Sequence, residues 1–361
     1  MPAAPRQESA SQLLTQARND ADRGRNQEAA DLLRRAVTLE PRNIEIQRLL
    51  GDVEYRLENY KVAETAYLAV LAVDPNNRDV YNRLGGVYSA EDRYEDATNA
   101  FRKSLPSREG FANLVQAYKD QGRLAELESE YQVEETRNPF DPVSHYNLAV
   151  IYKAEDKYQA AITQVEYALD RNERFTDAHN LLGTLYGELG RYDEAINQYR
   201  IALGIDSKYA FGWLNWGVEL INEGKVSDAV AKIKHSIELD PQFALGYENL
   251  GVAYDDLGDF TGAVEQYQRT ISLDPHDRNV YINLGALYYN HVQYNLAEAA
   301  FIKGLALQPK NWQLHLGLGS TYEAQRKYPL AAEQFKIVLE ENPKDTRAAA
   351  KLAEIEALQK R

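Results

Sequence analysis

A period of 34 residues runs through the chain and constrains its fold more than any other feature. Pro41 and Pro75 are one period apart, and Pro241, Pro275, Pro309 and Pro343 follow one another at the same step. Two sets of small residues keep this step, the second set twelve positions after the first. The first set is Gly51, Gly85, Ala149, Gly183, Gly217, Gly251, Gly285 and Gly319, and the second is Ala29, Ala63, Ala97, Ala161, Ala195, Ala229, Ala263, Ala297 and Ala331. The period predicts an array of repeated units.

Each unit is predicted to be a pair of helices. In one unit, residues 247–257 carry apolar residues at helical spacing, residues 258–260 interrupt the pattern, and residues 263–273 resume it. Pro275 then prevents the second helix from continuing. The first set of small residues stands at the eighth position of each unit, such as Gly251, and the second set at the twentieth, such as Ala263. These residues let the two helices approach closely, while bulky residues at positions seven, eleven and twenty-four fill the space around them.

This pattern of small and large residues resembles the tetratricopeptide repeat (TPR) family over roughly residues 10–345. The resemblance implies an all-α fold, a right-handed α-solenoid of about ten helical hairpins followed by a C-terminal capping helix. It also implies that the first helix of each hairpin lines the inner, concave surface of a superhelix.

Four segments are predicted from the pattern: a disordered tail (1–9), repeats 1–3 (10–107), repeats 4–10 (108–345) and a capping helix (346–361). The division between the repeat blocks follows from a step of 30 residues, instead of 34, between Gly85 and Val115. Pro106 is predicted to end the preceding helix about one turn early. The junction is interpreted either as a hinge or as a tolerated deletion.

Composition excludes several classes of function. The formal charge of -14 repels nucleic acid and anionic lipid, and no apolar run reaches the roughly 18 residues of a spanning helix. No cysteine is present, so the chain has no thiolate chemistry. We expect a cytoplasmic protein, with export to the periplasm after removal of a signal sequence as the alternative.

No catalytic or metal-binding constellation emerges. His145 and His179 lie one period apart, but neighbouring helices pack about 8–10 Å apart, too far for two ligands of one zinc ion, so a packing role is favoured. Lys225 follows Gly224 without the glycine spacing of a phosphate-binding loop. We therefore predict that the protein is not an enzyme and has no cofactor or metal site.

The sixth position of the units suggests a binding surface. Asparagine recurs there or immediately beside it, although asparagine is a poor helix former. The predicted peptide-binding residues are Asn113, Asn147, Asn180, Asn215, Asn249 and Asn283, with Asn180 replacing the sixth-position Leu181. A carboxamide both donates and accepts, so it can hold a peptide backbone of any sequence. Such a ladder resembles the repeats of O-linked N-acetylglucosamine transferase; the alternative is that the amides bond neighbouring helices.

The first three units lack these asparagines and instead carry Arg18, Arg48 and Arg83, which predict a second, basic entrance to the groove. The chaperone-tail clamp of some family members is absent, because no fifth position carries lysine. The predicted function is a protein–protein interaction scaffold that binds an extended segment of a partner. The alternative is a structural protein that assembles into homo-oligomers.

Overall fold

The computed structural model describes residues 8–359, and all of their regular secondary structure is helical. Most of the predicted tail therefore lies outside the described residues, but Ser9 forms the N-terminal cap of the first helix. Twenty-one helices lie within the described range. They are α1 Ala10–Asp22, α2 Asn26–Leu39, α3 Ile44–Arg56, α4 Tyr60–Val73, α5 Arg78–Ala90, α6 Tyr94–Ser104, α7 Arg108–Asp120, α8 Leu124–Arg137, α9 Pro142–Ala154, α10 Tyr158–Arg171, α11 Thr176–Glu188, α12 Tyr192–Ile205, α13 Ala210–Asn222, α14 Val226–Leu239, α15 Ala244–Asp256, α16 Phe260–Leu273, α17 Arg278–Asn290, α18 Tyr294–Leu307, α19 Trp312–Ala324, α20 Tyr328–Glu341 and α21 Thr346–Gln359.

The helices alternate between a first and a second member of each repeat, and α21 follows the tenth repeat as the predicted capping helix. The chain forms two compact units. One unit extends to Gly224 and includes Glu238–Gln242, and the other comprises Lys225–Ile237 and continues from Phe243. In both units consecutive helices pack as hairpins, such as α11 with α12 and α15 with α16. The prediction of an all-α solenoid is therefore confirmed.

Close approach of the two helices explains the small residue at the eighth position. A Cβ atom on Gly51 would lie 2.7 Å from Cδ1 of Tyr67, a residue of the second helix that is only 2% exposed. The same contact joins five other pairs. They are Gly85 with Phe101, Gly183 with Tyr199, Gly251 with Tyr267, Gly285 with Phe301, and Gly319 with Phe335. In these six hairpins the glycines thus make room for large rings whose burial of apolar surface stabilises the hairpin.

The turn between the helices of a repeat requires one residue with a positive φ angle. Five repeats place glycine there, including Gly190 at 72° and Gly258 at 77°. Val292 occupies the same place with a φ of 62° and is 67% exposed. A β-branched residue is strained in this region, because its Cβ substituents crowd the backbone.

The junction between the third and fourth repeats differs from the others as the sequence predicted. Helix α6 has 11 residues, whereas α4 and α8 have 14, and it ends at Ser104, two residues before Pro106. All three helices belong to the same compact unit. Whether this junction is a hinge stays a prediction.

None of the helices between residues 8 and 359 combines the length and the apolar character required to cross a bilayer.

Candidate functional site

The six predicted asparagines all lie on the first helices of their repeats. Asn113, Asn147, Asn180 and Asn215 belong to the first unit, on α7, α9, α11 and α13. Asn249 and Asn283 belong to the second unit, on α15 and α17. All six residues are half-buried. Each is therefore placed between the core of its repeat and the solvent.

Three of these asparagines are hydrogen-bonded to the preceding repeat. Asn113 donates from Nδ2 to Oδ1 of Asn82 at 2.9 Å, and Asn215 donates to Oδ1 of Asn180 at 3.0 Å. In the second unit, Asn283 donates from Nδ2 to Oε1 of Glu248 at 3.1 Å. In each case a sixth-position amide reaches the fifth position of the repeat before it.

Asn249 behaves differently, because its Nδ2 donates to the carbonyl oxygen of Leu245 in its own helix at 2.9 Å. A carboxamide has two N–H donors and an oxygen with two lone pairs, so a single bond leaves most of its capacity unused. Asn113, Asn215 and Asn283 therefore link neighbouring repeats, whereas Asn249 does not. These bonds are the ones expected if the amides join neighbouring helices. Peptide binding by the same asparagines stays a prediction.

The acceptor of Asn283 lies in an unusual cluster of acids. Glu248 is 5% exposed, and burial, followed by the charge of Asp277 and a hydrogen bond with it, raises its pKa to about 8. Burial also raises the pKa of Asp277. The Oδ1 atom of Asp277 accepts the backbone N–H groups that begin α17. The pair is therefore stabilised when a proton is shared within it.

The three arginines of the predicted basic entrance are engaged with carboxylates. Arg83 contacts Asp52 at 2.9 Å and Asp79 at 3.0 Å, and Arg48 lies 3.5 Å from Asp52. Arg18 is paired with Glu45. An added anion would compete with these carboxylates, so the pairs reduce the capacity of this region for anions; the entrance itself stays a prediction.

The histidines that suggested a metal pair have packing contacts. Nε2 of His145 lies 3.0 Å from the carbonyl oxygen of Pro139, and its Nδ1 lies 2.7 Å from Oε1 of Gln164. His179 has the equivalent contacts with Glu173 and Gln198.

In other repeats, the side chain at the fourth position also contacts the backbone carbonyl oxygen six residues earlier, but the residue type varies. The pairs are Gln47 with Pro41, Trp213 with Ser207, Tyr281 with Pro275, and His315 with Pro309. We call this contact the turn clip, because it closes the connection between successive repeats.

A concavity of about 170 Å³ lies in the first unit beside Asn215. It is lined mainly by α11 and α13, and Glu219 contributes a carboxyl group that is 6% exposed. Glu219 is not among the residues that were predicted to bind a ligand. The sequence carries a signal for it, because Glu219 occupies the tenth position, where the other repeats from the second to the tenth carry a buried residue without charge.

Comparisons with known proteins identify the repeats. Tetratricopeptide repeat models match residues 20–81, 146–210, 282–346 and 319–361, and a further TPR repeat model matches residues 255–292. No curated protein gave a significant match to the chain.

Among solved structures, the chain is similar to the Cut9–Hcn1 hetero-tetramer of APC/C, with a TM-score of 0.60 and 16% identity over 96% of this chain and 84% of that chain. It is also similar to pilF of Pseudomonas aeruginosa, with a TM-score of 0.50 and 19% identity over 62% of this chain and 99% of that chain. These likenesses concern the fold. Together with the repeat matches and the helical hairpins, they show that the chain belongs to the tetratricopeptide repeat family, whose members are scaffolds for interactions between proteins.

Proposed function

We propose that the protein binds an extended segment of a partner protein along its first helices, and that the sixth-position asparagines hold the backbone of that segment. The observation that carries this proposal is the recurrence of half-buried asparagine at the sixth position of α7, α9, α13, α15 and α17, with Asn180 at the neighbouring fifth position of α11. Asn215 and Asn283 are already oriented by a bond to the preceding repeat. Such orientation reduces the entropy that a ligand must supply on binding.

Backbone recognition fits the chemistry of these side chains. An amide that has committed one N–H retains a second donor and an oxygen acceptor, and an extended peptide presents alternating N–H and C=O groups. The net charge of -14 supports a partner segment that is not polyanionic. We propose no catalytic role for this surface.

The experiment uses a phage-displayed library of unstructured peptides, selected on the full chain. Selected peptides are then titrated against the wild type and against a variant with Asn215, Asn249 and Asn283 all replaced by alanine. We expect the variant to bind at least about tenfold more weakly, since each lost hydrogen bond contributes about 0.5–1.5 kcal/mol. N-methylation of the peptide backbone should weaken binding more than conservative side-chain changes.

The matched control replaces Asn99, Asn197 and Asn295, which are exposed on the second helices α6, α12 and α18. This variant should bind like the wild type. Equal affinity of the test variant and the control would contradict the proposal. Light scattering of the free protein over a range of concentrations tests the alternative, self-assembly, which requires growth of the particle with concentration.

A further inference from the structure

A carboxyl group occupies a core position of the seventh repeat. Glu219 stands at the tenth position, and the other repeats from the second to the tenth carry a buried residue there that has no charge. These residues are Val53, Val87, Ala117, Ile151, Leu185, Ala253, Leu287 and Thr321. Seven of the eight are apolar. The seventh repeat thus departs from a pattern that stabilises its neighbours.

The preceding repeat accommodates this carboxyl group. A Cβ atom on Gly187 of α11 would lie 2.7 Å from Cδ of Glu219, so a larger residue at this position would force the carboxyl group to move. Among the described residues, Oε2 of Glu219 has no hydrogen-bond partner. A buried polar atom without a partner costs free energy, because it has lost its bonds to water and gained none.

The surroundings of Glu219 are rich in acceptors and negative potential. Asn215 precedes Glu219 by one helical turn, lines the same concavity, and has its Nδ2 committed to Asn180. Glu188 also lines the concavity. Glu188 and Asn222 are the last residues of α11 and α13, so the negative ends of two helix dipoles lie at this place.

The pKa of Glu219 is also affected by its burial and by its neighbours. Burial raises the pKa of its carboxyl group, a hydrogen bond from Asn222 opposes this shift, and the charge of Glu188 adds to it. No cation of the described chain is paired with Glu219. The concavity of about 170 Å³ is several times the roughly 30 Å³ occupied by one water molecule.

We propose that the concavity between α11 and α13 receives the cationic end of a lysine or arginine side chain of the bound segment, with Glu219 as its ionic partner. This inference rests on the proposed function and assigns chemistry to one position of the ligand. Lysine and arginine end in groups that only donate hydrogen bonds, which complements the carboxylates of Glu219 and Glu188 and the amide oxygen of Asn215. The formal charge of -14 favours the approach of such a segment.

The test uses acetylated pentapeptide amides with lysine, arginine, norleucine or glutamate at the centre and glycine elsewhere. They are titrated against the full chain labelled with ¹³C at the glutamate carboxyl carbon, and Glu219→Gln assigns the resonance of Glu219. We expect the lysine and arginine peptides to shift this resonance to saturation. The norleucine and glutamate peptides should leave it unchanged.

Two variants separate binding from a structural role. Glu219→Gln keeps the shape of the side chain, and Glu219→Leu restores the apolar pattern of Leu185 and Leu287, so it should fold and melt at a higher temperature. Both should weaken binding of the lysine peptide by about tenfold or more, as expected for a lost charge-assisted bond. Glu166→Gln, an exposed carboxyl group on α10, is the matched charge control and should bind like the wild type.

The outcomes are distinct from those of the proposed function. If library peptides bind through the asparagines but lysine and norleucine peptides bind alike, the proposed function stands and this inference is overturned. The inference is also overturned if Glu219→Leu gains stability and keeps the wild-type affinity for the lysine peptide. It is supported if library peptides selected on the wild type share a basic residue that peptides selected on Glu219→Gln lack.

Discussion

Asn283 donates a hydrogen bond of 3.1 Å from Nδ2 to Oε1 of Glu248, and this bond joins the sixth position of one repeat to the fifth position of the repeat before it. Asn215 and Asn180 make the same connection at 3.0 Å. The sixth-position amide, which the sequence predicts to bind a ligand, is thus also part of the interface between repeats. Mutations at this position are therefore expected to affect stability in a way that depends on the neighbouring fifth residue.

Single alanine substitutions test this dependence. Asn215→Ala and Asn283→Ala remove a bond between repeats, at a cost of about 0.5–1.5 kcal/mol, which the better helix propensity of alanine offsets in part. Asn249→Ala removes only a bond within its own helix. We expect Asn249→Ala to be neutral or stabilising in thermal melts and the other two to be destabilising. Equal melting temperatures for all three would contradict the importance of the interface bond.

Glu248 predicts a pH dependence of stability. Its pKa of about 8 in the folded chain lies above the value of about 4.3 for an unfolded glutamate. The stability that the protonated Glu248 contributes to the fold is therefore fully present below about pH 4.3 and is lost as the pH rises through about 8. Glu248→Gln cannot ionise, and its amide can donate to Asp277. The melting temperature of the variant relative to that of the wild type should therefore rise from pH 5 to pH 9.

Glu265→Gln on α16 is the control for this experiment, because Glu265 is exposed in the same unit. Its melting temperature should differ from that of the wild type by a similar amount at both pH values. A constant difference for Glu248→Gln would show that the acid pair does not share a proton.

Val292→Gly should stabilise the second unit. The φ angle of 62° at Val292 costs a β-branched residue about 1–3 kcal/mol, whereas glycine adopts it freely. The greater freedom of glycine in the unfolded chain opposes part of this gain. Arg326→Gly, at a φ angle of 61°, is the matched comparison and should gain less, because arginine is not β-branched. A lower melting temperature for Val292→Gly would refute the strain argument.

Limited proteolysis tests the proposed hinge between the third and fourth repeats. If the shortened α6 leaves a mobile connection, the first cleavage should occur between residues 104 and 110. The turn at Gly190, which joins two helices of full length, serves as the internal comparison. Cleavage at Gly190 before residues 104–110, or uniform resistance, would favour a tolerated deletion.

Much of the fold follows from the sequence because the period determines it. The predicted interruption at residues 258–260 lies within one residue of the connection between α15 and α16, which is formed by residues 257–259, and the shortening of α6 before Pro106 follows from proline chemistry. The partners of the asparagines were not predictable, because they depend on which residue the preceding repeat places at its fifth position. Glu219 departs visibly from the sequence pattern, but only the structure shows that one of its oxygens, beside a concavity, has no hydrogen-bond partner among residues 8–359.

The turn clip has a consequence for how such a chain can change in length. An amide, an imidazole, an indole and a phenol all serve as its donor. The residue type at the fourth position can therefore vary as long as the side chain places a hydrogen-bond donor at the same site. Because the donor reaches a carbonyl oxygen six residues earlier, inserting or deleting residues within that span would break the bond. At the junction where four residues are missing, the fourth position is Phe111, whose side chain has no hydrogen to donate. Where the turn clip is present, the connection is therefore expected to keep its length, and the array is expected to grow or shrink there by whole repeats.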